Sequence, residues 1–331
     1  MSVLVLAGII YKFAFNDDKA EKFEGLDVFM AGTEISALYD DGEKLWVGTS
    51  EGIFFINRDN GDLIKKIDAD IQMIYSAMII KSSDGLIFAG HDKGISVFDQ
   101  EGKLLYQFSS PDIPSGRANC LFQDADIIWA GCQNGAVSFV KKDGKWSVEK
   151  VLNKENGLSE NNIQVINKIG DELWFGTYLG NDRGGISILK DRDWSYITVD
   201  DGLPHRYINA IEKIDDANVL IGTGHLSAGG LCLARHINGK WSIDESWDQD
   251  DGIPGMKIRT LFTDSSGKLW ITTEADGLII LNSVNDLENR PLKGFILTQD
   301  NGLVDNEVKC ICESDECYWL GGKYGLTRYA K

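Results

Sequence analysis

The chain of 331 residues has little of what marks several common functional classes. It contains 33 lysines and arginines against 51 aspartates and glutamates, so its formal net charge is −18. Proteins that bind nucleic acid or dock on anionic membranes need a basic surface, and this composition argues against both classes. Only five prolines accompany 36 glycines. That ratio indicates many tight turns rather than proline-rich linkers.

Motifs that mark common enzymes and metal sites are also missing. The six cysteines form no C-x-x-C pair, which argues against a zinc ribbon or a redox motif. The EF-hand spacing and the G-x-x-x-x-G-K-[ST], G-x-S-x-G and H-E-x-x-H signatures are absent as well. We therefore predict no cofactor and no metal site, and we favour a non-enzymatic role.

The N-terminal residues 2–15 read SVLVLAGIIYKFAF. This apolar run is shorter than the roughly 20 residues of a membrane-spanning helix, and no basic residue precedes it as in a usual signal peptide. It is an export or anchor segment, a buried strand or an interfacial helix, and we favour the first. We therefore predict an export or anchor segment at 1–17, a single domain at 18–331, and a periplasmic or extracellular location. A membrane tether through residues 2–15 remains an alternative to cleavage.

Two cysteines flank a short polar segment near the C-terminus. Cys312 and Cys317 lie on either side of the residues ESDE. If this segment closes a hairpin, the two side chains face each other and a disulfide becomes a candidate. The alternative is a pair of buried thiols, because free cysteine is among the most buried residue types.

A short motif related to L-W-x-G-T recurs along the chain and defines an internal repeat. The motif begins with an apolar residue, and the residue three positions further on is the glycine or its replacement. That position falls at 48, 90, 131, 176, 222, 272 and 321. An alternating strand and a polar turn precede each copy, while a glycine turn and two more strands follow it. Four short strands repeated every 40–50 residues are typical of one propeller blade. The sequence therefore predicts an all-β, seven-bladed propeller of four-stranded antiparallel blades.

Ring closure follows from the number of strands. The seventh copy ends after its third strand, so the N-terminal segment Lys19–Gly25 is predicted to supply the fourth and close the ring. The nine tryptophans all fall in the second or fourth strands of the repeats. We interpret them as packing between blades, since large aromatic side chains bury much area there.

Four segments that lead into first strands carry a further signature. They read NGLSENNIQVI at 156–166, DGLPHRYINAI at 201–211, DGIPGMKIRTL at 251–261 and NGLVDNEVKCI at 301–311. Together with the L-W-x-G-T strands, they resemble the two-component regulator propeller repeat of bacteria. That resemblance implies a periplasmic, ligand-sensing propeller of the kind found in membrane-bound histidine kinases. Streptogramin-lyase-like propellers are the enzymatic alternative.

Two turns between second and third strands are longer than the others, at Tyr178–Gly185 and Gly224–Gly230. Long loops that cluster on a rigid scaffold are where binding function concentrates. Aromatic, guanidinium and imidazole groups suit a polar or anionic ligand, although drift in loop length explains the turns equally well. The predicted ligand-binding residues are Tyr178, Asn181, Asp182, Arg183, His205, Arg206 and His225.

The functional prediction is a non-catalytic binding or scaffold module that captures a small molecule, a glycan or a partner protein on this face. The alternative is a propeller enzyme of lyase or hydrolase type. Such an enzyme requires histidines and carboxylates within hydrogen-bond reach of one another. Its functional groups would lie at the mouth of the channel.

Overall fold

The computed structural model describes residues 25–75, 77–114, 116–179 and 184–331. Its 28 strands form seven four-stranded antiparallel sheets, which confirms the predicted seven-bladed propeller. The first strand, β1, is Leu26–Phe29. Blade 1 comprises β2 Ile35–Asp40, β3 Leu45–Thr49, β4 Gly52–Ile56 and β5 Leu63–Lys66. Blade 2 comprises β6 Ile79–Lys81, β7 Ile87–His91, β8 Gly94–Phe98 and β9 Leu104–Phe108.

Blades 3, 4 and 5 follow in chain order. Blade 3 comprises β10 Ala118–Asp124, β11 Ile127–Cys132, β12 Gly135–Lys142 and β13 Lys145–Leu152. Blade 4 comprises β14 Ile163–Ile169, β15 Glu172–Thr177, β16 Ile186–Lys190 and β17 Asp193–Ile197. Blade 5 comprises β18 Ile208–Lys213, β19 Asn218–His225, β20 Ala228–Ile237 and β21 Lys240–Trp247.

The last two blades complete the ring. Blade 6 comprises β22 Ile258–Thr263, β23 Leu269–Thr273, β24 Leu278–Leu281 and β25 Phe295–Leu297. Blade 7 comprises β26 Val308–Glu313, β27 Cys317–Gly322 and β28 Gly325–Ala330, and β1 is its outer strand. Four short 3-10 helices lie in the connections, at Lys154–Asn156, Val199–Asp201, Val284–Glu288 and Gln299–Asn301. Within the described ranges, no helix is both long and apolar enough to cross a membrane.

The core lies between the blades, as the tryptophan positions predict. The five tryptophans of the second strands are at most 4% exposed. They meet aromatic partners at steep angles, as Trp46 does with Phe55 (centroids 4.4 Å apart) and Trp174 with Trp241 (4.8 Å). Edge-to-face pairs of this kind stabilise a core beyond the area that they bury. These tryptophans are therefore packing residues.

The ring closes with an N-terminal strand, as predicted, but its position differs. The closing strand is β1, whose Leu26 pairs with Tyr329 and whose Phe29 pairs with Leu326. The prediction of Lys19–Gly25 placed it a few residues too early in the chain. Packing explains the actual position, since the Phe29 ring lies 5.6 Å from the Trp319 ring. Residues 19–24 and the apolar segment 2–15 lie outside the described residues.

The two candidate disulfide cysteines do not face each other. In the hairpin of β26 and β27, Cys312 lies opposite Trp319, and Cys317 lies opposite Ala330 of β28. The register of this hairpin therefore differs from the one that the disulfide candidate assumed, and all six cysteines are free thiols in the structure. Burial raises the pKa of Cys312 to about 12, which keeps this thiol protonated and slow to react.

Candidate functional site

The leads into first strands and the turns between second and third strands meet on one face of the ring. In six blades a backbone N–H of the turn donates to a backbone carbonyl of the lead in the same blade. These bonds tie the two connections of blades 1 to 6 to the rigid sheet. The donor–acceptor pairs, at 2.9–3.4 Å, are Ser50–Glu34, Asp92–Gln72, Gln133–Arg117, Tyr178–Asn162, Gly224–Tyr207 and Glu274–Lys257.

The extended connection of blade 5 is a longer hairpin rather than a loop. β19 and β20 stay paired up to His225 and Ala228, which leaves a turn of two residues. The leucine at its tip, Leu226, has a φ of 52° and is 71% exposed. A two-residue hairpin turn favours left-handed backbone, which is costly for a bulky side chain such as leucine. The prediction of a long loop at Gly224–Gly230 was therefore wrong in form, although the connection does rise above its neighbours.

Three of the predicted residues gather around one tyrosine that the sequence analysis did not single out. The ring of Tyr207 lies 5.1 Å from Tyr178, 4.8 Å from His205 and 5.4 Å from His225. Tyr178 belongs to blade 4 and the other three to blade 5, so the cluster joins two blades. We call Tyr178, His205, Arg206, Tyr207 and His225 the lip cluster.

Two cations cover the tyrosine faces of the lip cluster. The Arg206 guanidinium carbon lies 5.3 Å from the Tyr207 centroid, and the Lys257 Nζ lies 5.4 Å from the Tyr178 centroid. Lys257 also donates a hydrogen bond of 3.1 Å to the Tyr178 hydroxyl. Cations over aromatic faces are held by the ring quadrupole. The predicted Asn181, Asp182 and Arg183 lie outside the described residues.

His205 is held in its neutral form. Burial lowers the pKa of its imidazole, and the nearby Arg206 and His225 lower it further. Its Nδ1 accepts the backbone N–H of Tyr207 at 3.0 Å, so the proton of the neutral ring is on Nε2. His205 therefore offers one N–H donor to a ligand at neutral pH.

A chain of ion pairs continues from the lip cluster along blades 6, 7 and 1. Lys257, which is 5% exposed, pairs with Glu274. Arg259 lies 3.4 Å from the same carboxylate and pairs with Glu307. Burial disfavours the charge of Glu274, but Lys257 and Arg259 outweigh it and lower the pKa of this carboxyl. Glu274 is therefore a carboxylate at neutral pH.

The chain of ion pairs ends at blade 1. Lys309, which is 8% exposed, lies 2.5 Å from Glu34 and 3.8 Å from Glu307. Three cations and three carboxylates thus alternate across blades 6, 7 and 1. Buried ion pairs cost much of their attraction in desolvation, and lysines this buried are rare. Such an arrangement indicates a specific role at this mouth of the channel.

Six first strands carry a β-bulge at the same repeat position, next to the channel. A bulge leaves one residue unpaired and turns its side chain away from the sheet. Five of these six residues line the central cavity. We call the set the bulge ring: Ser36, Asn119, Gln164, Asn209, Arg259 and Lys309.

Sequence reasoning missed Tyr207, Lys257, Arg259, Glu274 and Lys309. The repeats held a usable signal. At the bulge position blades 4 and 5 have amides, whereas blades 6 and 7 have Arg259 and Lys309. Charged residues that replace neutral ones at equivalent positions of a repeat cannot be explained by the shared fold.

The histidines do not assemble a metal site in the described part of the chain. No group of three or more histidine, cysteine or carboxylate side chains is placed to hold an ion there. His91 is buried in blade 2 and exchanges a hydrogen bond of 2.9 Å with the Ser96 hydroxyl. Burial lowers the pKa of His91 to about 4. His91 is therefore a neutral core residue, remote from the lip cluster.

The fold and the connections define a propeller scaffold with a loop-bearing face. The family model of the two component regulator propeller matches residues 252–275, which confirms the predicted repeat in blade 6 and its lead. No curated protein matches the chain in sequence.

Several solved propellers share this fold. One is the extracellular domain of the putative hybrid two component system BT3049 from B. thetaiotaomicron, with a TM-score of 0.76 and 18% identity. That match covers 92% of this chain and 41% of the other, so this chain spans less than half of its length. Another is virginiamycin B lyase from Staphylococcus aureus, with a TM-score of 0.65, 16% identity, and 92% and 99% of the two chains covered. At these identities the likeness establishes the fold.

Proposed function

We propose that this chain is an exported, non-catalytic binding propeller that captures a polar or anionic ligand at the lip cluster. One observation carries the proposal: residues from separate connections of blades 4 and 5 form one continuous group of rings beneath Arg206. Rigid aromatic side chains supply contact area at low entropic cost, and a guanidinium can hold a carboxylate or phosphate through two hydrogen bonds.

The net charge of the whole protein supports the lip cluster as the place where an anionic ligand binds. A net charge of −18 repels anions from most of the surface. Arg206 and the N–H donor of His205 make the lip cluster a local exception. A ligand with both a ring and an acidic group, such as an acidic sugar of a glycan, would use the tyrosine faces and Arg206 together.

Catalysis is less well supported than binding. Lyase or hydrolase chemistry needs an imidazole and a carboxylate within hydrogen-bond reach. In the described part of the lip, His205 accepts from a backbone N–H and contacts Tyr207, and His225 contacts Tyr178 and Tyr207. Neither imidazole has a hydrogen bond to a carboxylate among the described residues. The structural likeness to extracellular domains, together with the apolar segment 2–15, supports the proposal of export.

The test is titration calorimetry with D-glucuronate and inorganic phosphate, with D-glucose as the neutral control. We expect the Arg183→Ala/Arg206→Ala variant to bind glucuronate at least about tenfold more weakly, which corresponds to roughly 1.4 kcal/mol. The melting temperature should hardly change, because partly exposed charges such as that of Arg206 contribute little stability. Arg192→Ala, an exposed arginine at the other end of blade 4, is the matched control.

Two outcomes would contradict this function. Equal binding of glucose and glucuronate would show that the acidic group is not recognised. Unchanged affinity in the double variant would place the site elsewhere on the ring.

A further inference from the structure

The central channel of the propeller encloses a cavity of about 340 Å³. Residues from the first strands or their leads of all seven blades line it, so it lies on the ring axis. Small-molecule sites in proteins begin at about this volume and are mostly apolar with a few polar groups. The cavity does not include the lip cluster among its lining residues.

Along the first strands, the side chains that line the channel change from polar and charged to apolar. At the level of the bulge ring, blades 1, 4 and 5 contribute the neutral polar residues Ser36, Gln164 and Asn209. Blades 6 and 7 contribute the cationic Arg259 and Lys309. Two residues further along the strands, an apolar layer begins. It consists of Leu38, Ile79, Leu121, Ile166, Ile211, Leu261 and Ile311.

Arg259 and Lys309 are held by ion pairs in a largely buried position, which costs free energy of desolvation. Arg259 pairs with Glu307, and Lys309 lies between Glu34 and Glu307. The Nε of Arg259 is buried and lies 3.4 Å from a Glu274 oxygen without forming a hydrogen bond, and a buried donor that lacks a hydrogen bond is destabilising. The charges balance at this mouth, whereas the chain as a whole carries −18. An anion is therefore repelled less here than over the rest of the surface.

We propose that the channel is a second binding site, specific for a small carboxylic acid with an apolar body. The carboxylate accepts hydrogen bonds from Arg259 and Lys309 at the bulge ring. The apolar body occupies the layer beneath, where burial of hydrocarbon is favourable. Both the carboxylate and the apolar body are required, because neither a charged group alone nor a hydrocarbon group alone matches both levels of the cavity.

Calorimetry on the full chain separates the two contributions with three probes. Hexanoate carries both groups, hexanol carries only the apolar body, and acetate carries only the carboxylate. We expect hexanoate to bind at least tenfold more tightly than either of the others. Hexanol binding as tightly as hexanoate would overturn the role of the cations, and no binding of hexanoate would overturn the site.

A variant tests the assigned guanidinium. We expect Arg259→Gln to weaken hexanoate binding at least tenfold. The matched control is Arg58→Gln, because Arg58 is similarly buried and pairs with Asp40 and Asp315 at the opposite face of the ring. Unchanged hexanoate affinity in Arg259→Gln would overturn the proposal.

Loss of Arg259 leaves Glu307 with only Lys309, at 3.8 Å, as an ion-pair partner, and a buried carboxylate that loses its nearest cation destabilises the fold. The double variant Arg259→Gln/Glu307→Gln removes both charges and retains hydrogen-bonding groups of similar size. We expect it to keep the circular dichroism spectrum of the parent and to bind hexanoate as weakly as hexanol. A folded double variant that binds hexanoate with the parental affinity would refute the proposal. The lip cluster is tested with other probes and another arginine, so either site can fail alone.

Discussion

At the scale of single residues, buried carboxylates hold the tryptophans of the repeat in place. Asp264, in the turn between β22 and β23, accepts hydrogen bonds from the Trp270 Nε1 at 3.0 Å and the Tyr318 hydroxyl at 2.7 Å. It also accepts the backbone N–H groups of Ser266 and Lys268. One side chain thus closes a turn in blade 6 and links it to blade 7. The segment TDSSGKLW at 263–270 forms the hairpin between β22 and β23.

These donors determine how Asp264 responds to acid. Burial alone would raise its pKa, but the hydrogen bonds from Trp270, Ser266 and Tyr318 lower it below the ordinary value. A carboxyl whose folded-state pKa is depressed stabilises the protein above its unfolded-state pKa of about 4. That stabilisation is lost as the pH falls below 4 toward the folded-state pKa.

We predict that Asp264→Asn lowers the free energy of unfolding at pH 7 by about 2 kcal/mol, the typical value of hydrogen bonds to a buried charge. The difference from the parent should shrink between pH 4 and pH 2, because the unfolded parent then binds a proton at this carboxyl while the folded parent does not, which removes the stabilisation. Urea denaturation at several pH values measures both effects. Asp59→Asn, in an exposed turn of blade 1, is the control and should change little. A deficit that does not depend on pH would contradict the electrostatic account.

At the scale of elements, the glycine of the L-W-x-G-T strand is explained by packing between blades. A Cβ built on Gly222 would lie 2.6 Å from the Cγ2 of Ile258 in the next blade. On Gly176 it would lie 2.5 Å from Val165 and 2.7 Å from Ile208. The second strand of one blade therefore approaches the first strand of the next too closely for any side chain.

Blade 6 is the exception that supports this explanation. Thr272 takes the place of the glycine, and its hydroxyl donates a hydrogen bond of 2.9 Å to the carbonyl of Val308 in blade 7. Blades 6 and 7 are therefore spaced to admit a side chain at this level. The departure from the repeat occurs next to Arg259 and Lys309, where the channel carries its charges.

We predict that Gly222→Ala costs about 1–3 kcal/mol of stability, the usual penalty for forcing an extra methyl group into a packed core. Thermal and urea unfolding measure it. The matched control is Gly116→Ala, where the nearest atom to an added Cβ is 3.8 Å away and no strain is expected. Equal stability of Gly222→Ala and the parent would show that the blades separate easily.

At the scale of the whole molecule, the ring is closed by residues from both ends of the described chain. Phe29 of β1 packs against Trp319 and fills the space next to Gly61, in the turn between β4 and β5 of blade 1. Ion pairs span the same junction on the two faces of the ring, through Lys309 with Glu34 and Arg58 with Asp315. Strand pairing, aromatic packing and charge therefore act together at the join of blades 7 and 1.

We predict that Phe29→Ala lowers the free energy of unfolding by about 2 kcal/mol, less than a fully buried phenylalanine would cost because Phe29 is only half-buried. Val28→Ala is the control, since Val28 is 48% exposed in the same strand and should change stability by less than about 0.5 kcal/mol. Urea unfolding curves distinguish the two variants. If both cost the same, closure depends on backbone pairing and not on the Phe29 contact.

Much of this architecture follows from the sequence alone. Blade number, the strands from Ile35 onward and the packing role of the tryptophans come from a periodic pattern of short hairpins. Each hairpin pairs residues that are close in the chain, so local turn chemistry and alternation are enough to place it. Tyr178, His205 and His225 were predictable too, because they lie in connections that the repeat assigns to one face.

Only the tertiary structure decided which side chains meet on that face. Glu34 and Lys309 are 275 residues apart in sequence yet form one ion pair, because closure of the ring makes blade 1 the neighbour of blade 7. The bulges that bring Arg259 and Lys309 to the channel depend on strand register, which alternation alone does not specify. The repeat thus determined the scaffold, and the geometry of the closed ring determined the chemistry at its centre.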